Sequence, residues 1–201
     1  MAPAMAQDTV YAGQTTNLTV VSHPGESYEW ELYNNVAGLN LALLPGNCPV
    51  TDAFFFGNVN TGSIVQVSWL LPGTYYFKVT ATTSCTNNLA IGEIIVLWPT
   101  PTATIIHPPP ICIGDSVHLT VMLTGAAPWS ITLTDGVNNY VYNNITTSTF
   151  NITVPLIPLT NTTYWISQVT DAHLTNTTLS PPVVQVVNPK PVNSHIYHYG
   201  P

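Results

Sequence analysis

The segment AGQTTNLTVV at residues 12–21 is followed, 101 positions later, by IGDSVHLTVM at residues 113–122. Four residue types recur at the same offset: Gly13, Leu18, Thr19 and Val20 return as Gly114, Leu119, Thr120 and Val121. An internal repeat of this kind predicts two units of about 95–100 residues each. Each unit is long enough to bury a hydrophobic core of its own.

Further matches define the domain boundaries. YEWEL at 28–32 and WSITL at 129–133 keep the offset of 101, whereas TYYF at 74–77 matches TYWI at 163–166 at an offset of 89. The first unit therefore carries about a dozen extra residues, which we assign to an insertion near 34–49. The interpretation is a first domain at 1–98, a proline-flanked linker at 99–101, a second domain at 102–188 and a tail at 189–201.

Hydrophobic residues alternate with polar residues in both halves. In SIVQVSWLL, Val65, Val67 and Trp69 share one face, as in a half-buried antiparallel strand. The alternation and the turn residues between segments predict seven strands per half, and 18 prolines disfavour helices. The predicted strands are 8–12, 15–22, 27–33, 52–57, 63–70, 74–82 and 89–97, then 102–107, 116–124, 128–134, 139–143, 148–154, 163–170 and 183–188.

Charge is scarce in this chain. Charged residues make up 5% of it, with two lysines, no arginine and a net charge of −7, against roughly a quarter charged in ordinary soluble domains. No basic patch exists for nucleic acid or for anionic lipid, and no segment reaches the ~20 apolar residues of a membrane helix. The pattern Ala4-Met5-Ala6 is either the remnant of an export signal or part of an ordinary terminus.

Three cysteines in such a chain are typical of an oxidising compartment. Cys48 and Cys85 lie in the first half and are candidates for a disulfide, which leaves Cys112 buried or paired between chains. A Cys85–Cys112 bridge is the alternative. The spacing of Cys and His residues does not favour a metal site.

No constellation of catalytic residues is found. Glu29 and Glu31 would share one face of a strand, but a solvated face is the better interpretation. His195 and His198 form an H-x-x-H pattern on a proline-flanked tail. We expect no enzymatic activity, no cofactor and no metal.

Three stretches of the second half, GDSVHLTVMLTGAAPWSITLTDG (114–136), TTYWISQVTDA (162–172) and VVQVVNPKPV (183–192), resemble tandem Ig-like modules in surface proteins of gliding, type IX-secreting bacteria. PGTYYFKVTATTSC (72–85) is similar to the related polycystic-kidney-disease-type module. The resemblance implies an all-β fold of two tandem Ig-like antiparallel β-sandwiches joined by a short Pro-rich linker. It also implies an extracellular or cell-surface location.

Candidate glycosylation sites are numerous. Five sequons match N-x-[ST], at Asn17, Asn144, Asn151, Asn161 and Asn176. The resemblance adds an O-glycosylation pattern, Asp followed by Ser or Thr and an apolar residue, which Thr9 and Ser116 fit. The alternative is that these two residues lie in simple turns before strands.

The tail at 189–201, PKPVNSHIYHYGP, is surplus to a seven-stranded sandwich. Such a segment could add to a sheet edge of another subunit and build an open filament. The N-terminal residues 1–11 are the alternative linking strand, and a disordered tail or one folded back is the structural alternative. The candidate contact residues are Val192, Ile196, Tyr197, Tyr199 and Phe55.

Two functions follow as hypotheses. The first is a filament or pilus-like subunit whose partners are copies of itself, with glycans as a further partner and with neither nucleic acid nor membrane insertion. The second is a monomeric adhesin or carbohydrate-binding module, which an exposed aromatic platform at Trp69, Trp98 or Trp129 would favour.

Overall fold

A computed structural model describes residues 8–34, 40–178 and 180–191. The chain divides into two compact units, Met1–Pro99 and Thr100–Pro201, and each contains its own sandwich of sheets. Within the described residues, the regular structure outside the strands is one 3-10 turn at Phe56–Asn58.

The first unit has seven strands in two sheets. One sheet has the order β1-β7-β6-β3 and the other β2-β5-β4. All pairs are antiparallel except β1 with β7, which is parallel. The bounds are β1 Asp8–Tyr11, β2 Thr15–Thr19, β3 Ser27–Tyr33, β4 Ala53–Phe55, β5 Ile64–Trp69, β6 Gly73–Thr82 and β7 Asn87–Leu97.

The core of the first unit comes from the alternation that the sequence predicts. Val65, Val67 and Trp69 of β5 are buried, whereas Ile64 and Gln66 on its other face are exposed. Trp30 of β3 packs opposite them and is 1% exposed. Burial of these apolar side chains contributes about 1.5–3 kcal/mol each to folding and holds the two sheets face to face.

The second unit has ten strands. Its main sheets have the orders β13-β10-β8 and β12-β11-β14-β15, β16 also pairs with β14, and β17 pairs in parallel with β9. The bounds are β8 Thr102–Ile106, β9 Ile111–Cys112, β10 His118–Thr124, β11 Trp129–Thr134, β12 Asn139–Ile145, β13 Thr149–Thr153, β14 Thr162–Thr170, β15 Thr175–Asn176, β16 Val183–Gln185 and β17 Val187–Asn188.

The repeat is visible in the pairing. Leu119 and Val121 of β10 are buried in the second core, as Leu18 is in the first. The final strand of each unit, β7 or β17, pairs in parallel with a short strand near the start of the same unit, β1 or β9. The two units share this scheme because they repeat the same pattern of inward-facing residues.

Strand β2 is among the strands that are shorter than predicted. Strand β2 ends at Thr19, although the sequence predicts a strand over 15–22. Beyond this end, the Tyr28 hydroxyl donates to the Val21 carbonyl at 3.3 Å, and the His23 N–H donates to the Tyr28 oxygen at 2.9 Å. A side chain therefore occupies backbone groups that a longer ladder would use.

Candidate functional site

The open edges of the sheets are the candidate sites for strand addition. Strand β3 is an edge of its sheet, but loop residues close it. Trp30 N–H donates to the Asn60 carbonyl at 2.8 Å, Gly62 N–H to the Tyr28 carbonyl at 3.0 Å, and Cys48 N–H to the Leu32 carbonyl at 3.1 Å. These bonds use the outward backbone groups of β3, so this edge is not free for another strand.

The N-terminal segment is in part engaged. Asp8–Tyr11 pairs with Ile94–Leu97 of the same unit. The prediction that residues 1–11 serve as the linking strand is therefore corrected for 8–11, because their pairing partner lies in their own domain. Residues 1–7 lie outside the described residues.

A buried ion pair fastens the insertion. Lys78 is 7% exposed and its Nζ lies against the Glu31 carboxylate. The same nitrogen donates to the carbonyls of Leu41 at 3.1 Å and Leu44 at 3.2 Å, and the Tyr33 hydroxyl donates to Leu44 at 2.7 Å. Burial alone would lower the pKa of Lys78, but the hydrogen bonds with Glu31 and Tyr33 outweigh it and raise this pKa.

This arrangement gives Glu31 a structural role. Its carboxylate also accepts the Gly46 N–H at 3.0 Å, whereas Glu29 on the same strand is exposed. One carboxylate is thus held by a cation and a backbone amide, and the other is solvated. The two do not form a pair poised for general acid and base chemistry.

Two phenylalanines, Phe54 and Phe55, and the insertion line an open groove. The groove has a volume of about 320 Å³, and its lining includes Gly46, Cys48, Phe54 and Phe55. Phe55 is half-buried and packs on the core of the first unit, while Phe56 is 56% exposed. The ring of Phe55 contacts its own domain, and Phe55 as a subunit contact stays a prediction.

The cysteines are free thiols. Cys48 is half-buried, and Cys85 and Cys112 are exposed. Cys48 lies beside Leu32, whereas Cys85 lies in the turn after Thr82, the residue paired with Ser27. Five residues of strand separate Ser27 from Leu32, about 16 Å, and a disulfide needs Cα atoms within about 7 Å. The predicted Cys48–Cys85 bridge is therefore corrected.

The candidate glycosylation residues lie mostly at the surface. Asn176 is half-buried, and its amide nitrogen donates to the Pro101 carbonyl at 2.8 Å. The side-chain oxygens of Asn151 and Asn161 accept hydrogen bonds from Thr120 and from the N–H of Val187. The exposed candidates are Thr9, Asn17, Ser116, Asn144, Asn151 and Asn161. Glycan attachment at all seven residues stays a prediction.

Two of the three tryptophans proposed for an aromatic platform are buried. Trp69 is 0% exposed and donates to Thr16 Oγ1 at 2.8 Å, and Trp129 is 6% exposed and donates to the Thr124 carbonyl at 3.1 Å. Trp98 is half-buried. The prediction of an exposed aromatic platform is therefore wrong for Trp69 and Trp129, because their indoles point into the cores of their units.

The tail contacts lie outside the described residues. They are Val192, Ile196, Tyr197 and Tyr199, together with His195 and His198. Among the residues that the structure does describe, no three His, Cys, Asp or Glu side chains are grouped as a metal ion would need. In the same part of the chain no helix is long and apolar enough to cross a membrane.

Sequence reasoning missed two aspartates that organise turns of the second unit. Asp171 is buried and accepts the N–H groups of Ala126 at 2.9 Å and Leu174 at 2.7 Å. Asp135 accepts the N–H groups of Val137 at 2.9 Å and Asn138 at 2.6 Å. The sequence pattern that could have predicted these turns is D-x-x-N or D-x-x-L at the end of a strand. An aspartate in this position commonly accepts hydrogen bonds from the backbone N–H groups two and three residues later.

The strand distribution defines the class of protein. In the first unit one sheet holds the second, fifth and fourth strands and the other holds the third, sixth and seventh, which is the Ig arrangement. The chain is an all-β protein with two tandem Ig-like β-sandwiches. No protein-family model matches it, and no curated protein matches its sequence.

Solved structures similar to this chain include a chimeric titin Z1Z2 carrying a decorin peptide (14% identity, 90% of this chain and 92% of that one, TM-score 0.38). They also include the fibronectin(III)-like modules of Clostridium thermocellum CbhA (13% identity, 98% of both chains, TM-score 0.31). Titin domains Z1Z2 in complex with telethonin are a third (15% identity, 92% and 93%, TM-score 0.38). The fold assignment rests on the strand pairing described above.

Proposed function

We propose that this chain is an extracellular structural subunit of a bacterial surface filament, polymerising head-to-tail by β-strand addition. The observation that carries the proposal is the combination of edge strands without a charged side chain, namely β2, β4, β8 and β13, with a C-terminal segment that follows the last strand, β17. Lysine is the usual guard of sheet edges, yet Lys78 is buried and engaged within its own domain. A head-to-tail contact of this kind does not close and so produces a fibre.

The composition supports the same function. A chain with 5% charged residues depends on Thr, Asn and Ser for its solubility, and its surface repels neighbouring molecules weakly. Lateral contacts in a fibre and glycans on exposed Asn, Ser or Thr side chains suit such a surface. The glycans are a further partner within this proposal.

Negative-stain electron microscopy of the full chain and of a chain without 189–201 tests the proposal. Filaments of the full chain and single particles of the shortened chain are expected. Filaments of both chains would place the linking strand elsewhere. Single particles of both would overturn the filament.

A carbohydrate-binding module is the second candidate, and the groove beside β4 favours it. Phe54, Asn58 and Asn60 lie along this groove and offer an aromatic ring beside amide groups. Binding to a glycan array that is lost in Phe54→Ala, without filaments in the microscope, would support this function over the first.

A further inference from the structure

One sheet edge in the first unit differs from its counterpart in the second. In the second unit, β8 pairs antiparallel along β10, with Ile105 opposite Val121 and Ala103 opposite Leu123. In the first unit, the counterpart of β10 is β2, and within the described part of the chain β2 pairs only with β5. The edge that β8 fills in one sandwich thus has no described strand in the other.

Burial reflects this difference. Val121 is 0% exposed beneath β8, whereas its repeat counterpart Val20 is half-buried. Ala103 and Ile105 of β8 are 7% and 4% exposed and form part of the second core. The first core lacks two such side chains at this edge among the described residues.

The outward backbone groups of β2 follow from its ladder. Val20 N–H donates to the Ser63 carbonyl and Trp69 N–H donates to the Gln14 carbonyl, so even-numbered residues face β5. By the alternation of an antiparallel ladder, Thr15, Asn17 and Thr19 turn their N–H and C=O groups to the outer edge. Their side chains are uncharged and exposed, and nothing in β2 guards it as lysine or proline would.

The chain's own N-terminus is a poor match for this edge. At the repeat offset of 101, Pro3 stands where Thr104 stands in β8. Thr104 lies opposite Met122, whose counterpart is Val21. Proline has no N–H to donate to a ladder, so Pro3 cannot take part in this position as Thr104 does.

The C-terminal segment matches better. Residues 192–200, VNSHIYHYG, contain no proline, so each can donate to a ladder. Ser194-His195-Ile196 repeats the small-x-Ile order of Ala103-Thr104-Ile105, in which the first and third residues face the core. A strand with this pattern would place Ile196 in the first core.

We propose that the outer edge of β2, at Thr15–Thr19, is the acceptor for residues 192–200 of a second copy of this chain. This inference rests on the proposed filament and names its junction. The incoming strand takes the place that β8 has in the second unit, which sets Tyr197 and Tyr199 opposite Thr19 and Asn17 and lets it bond the outward groups of these two residues.

The test is Asn17→Pro in the full chain, with Asn151→Pro as the matched control. Asn17 turns its N–H outward, so proline removes an edge donor and leaves the β2–β5 ladder intact. Asn151 lies on β13, and it too faces outward, because Leu123 N–H bonds to the Ser148 carbonyl in that ladder. We expect Asn17→Pro to raise the protein concentration needed for filaments about tenfold or more, and Asn151→Pro to leave it unchanged.

Circular dichroism checks that each variant folds. If a proline variant does not fold, Asn17→Lys, with Asn151→Lys as its control, tests the same edge. Loss of filaments in the folded Asn17 variants alone supports the junction. Filaments in both Asn17 variants would overturn the proposed junction but not the filament. If these variants also unfold more easily than the unsubstituted chain, the edge of β2 is filled by a strand of the same molecule. No filaments in the unsubstituted chain would instead overturn the proposed function, and the junction with it.

Discussion

Lys78 and Glu31 lie directly opposite each other in the β3–β6 ladder and form an ion pair in which the lysine is almost fully buried. The alternation of β6 places Lys78 on the face away from the core. Its burial comes from the insertion, whose Leu41 and Leu44 carbonyls accept hydrogen bonds from Nζ. The pair therefore joins two segments that lie far apart in the sequence.

Replacing this lysine should destabilise the first unit. Lys78→Met leaves Glu31 without its cation and removes the hydrogen bonds from Nζ to the Leu41 and Leu44 carbonyls. Breaking a buried pair costs about 3–5 kcal/mol. Glu31 is 23% exposed, so we expect the lower part of that range or slightly less, about 2–3 kcal/mol. Urea unfolding measures the change. Lys190→Met, at an exposed lysine, is the control, and equal midpoints for the two variants would contradict the assigned role.

Acid should weaken the second unit through Asp135. Burial by itself would raise its pKa, but the hydrogen bonds from Asn138, Val137 and Tyr140 outweigh this effect and lower the pKa to about 2. A lowered pKa in the folded state gives stability above pH ~4 that is lost as the pH falls toward about 2.

The variant that tests this is Asp135→Asn. We expect it to lose roughly 1–2 kcal/mol at pH 6 and to show a flatter decline between pH 4 and pH 2 than the unsubstituted chain. Asp115→Asn, at an exposed aspartate, makes the same change in net charge. Parallel pH profiles for Asp135→Asn and the unsubstituted chain would refute the prediction.

Gly125 should not tolerate a side chain. Its φ is +107°, and a Cβ would meet the Asp171 carboxylate and come within 3.1 Å of the Pro101 Cβ. We expect Gly125→Ala to cost about 2–3 kcal/mol, from backbone strain plus crowding. Gly25→Ala has a similar φ of +82° with open space around it, so it should cost only about 1 kcal/mol. Thermal unfolding compares the two, and equal losses would mean that Asp171 does not limit the site.

The thiols should react in two classes. Cys85 and Cys112 are exposed, whereas Cys48 is half-buried and burial raises its pKa to about 11. Because the thiolate is the reactive form, Ellman's reagent should titrate two thiols quickly and the third only slowly or after unfolding. Cys48→Ser should remove the slow phase alone. If the unfolded, unreduced chain has a single reactive thiol, then two of the three cysteines form a disulfide and the assignment of free thiols is wrong.

The local pattern predicted most of the strands. Alternation in β5 put Val65, Val67 and Trp69 on one face, and all three are at most 2% exposed. The strands that were missed are the two-residue strands β9 and β15, which are too short to show a period of two. The disulfide was wrong because a pair of cysteines in one domain says nothing about their positions along a strand.

The candidate site was less accessible to sequence reasoning. The surplus tail was visible as a segment beyond the last predicted strand. The closed edge of β3 and the edge of β2 that no described strand pairs were not visible, because each depends on which loop or strand lies alongside. The burial of Lys78 was hidden for the same reason, since the residues that cover it are more than thirty positions away.

The sequence by itself determined the fold class, the repeat and the inward face of most strands, because side-chain alternation is a local property of an extended backbone. The tertiary structure decided which edges are closed, which thiols stay apart and which charges are buried. These properties depend on contacts between segments distant in the chain. Hydrogen bonds between such segments form only once the sheets have assembled, so no local pattern encodes them.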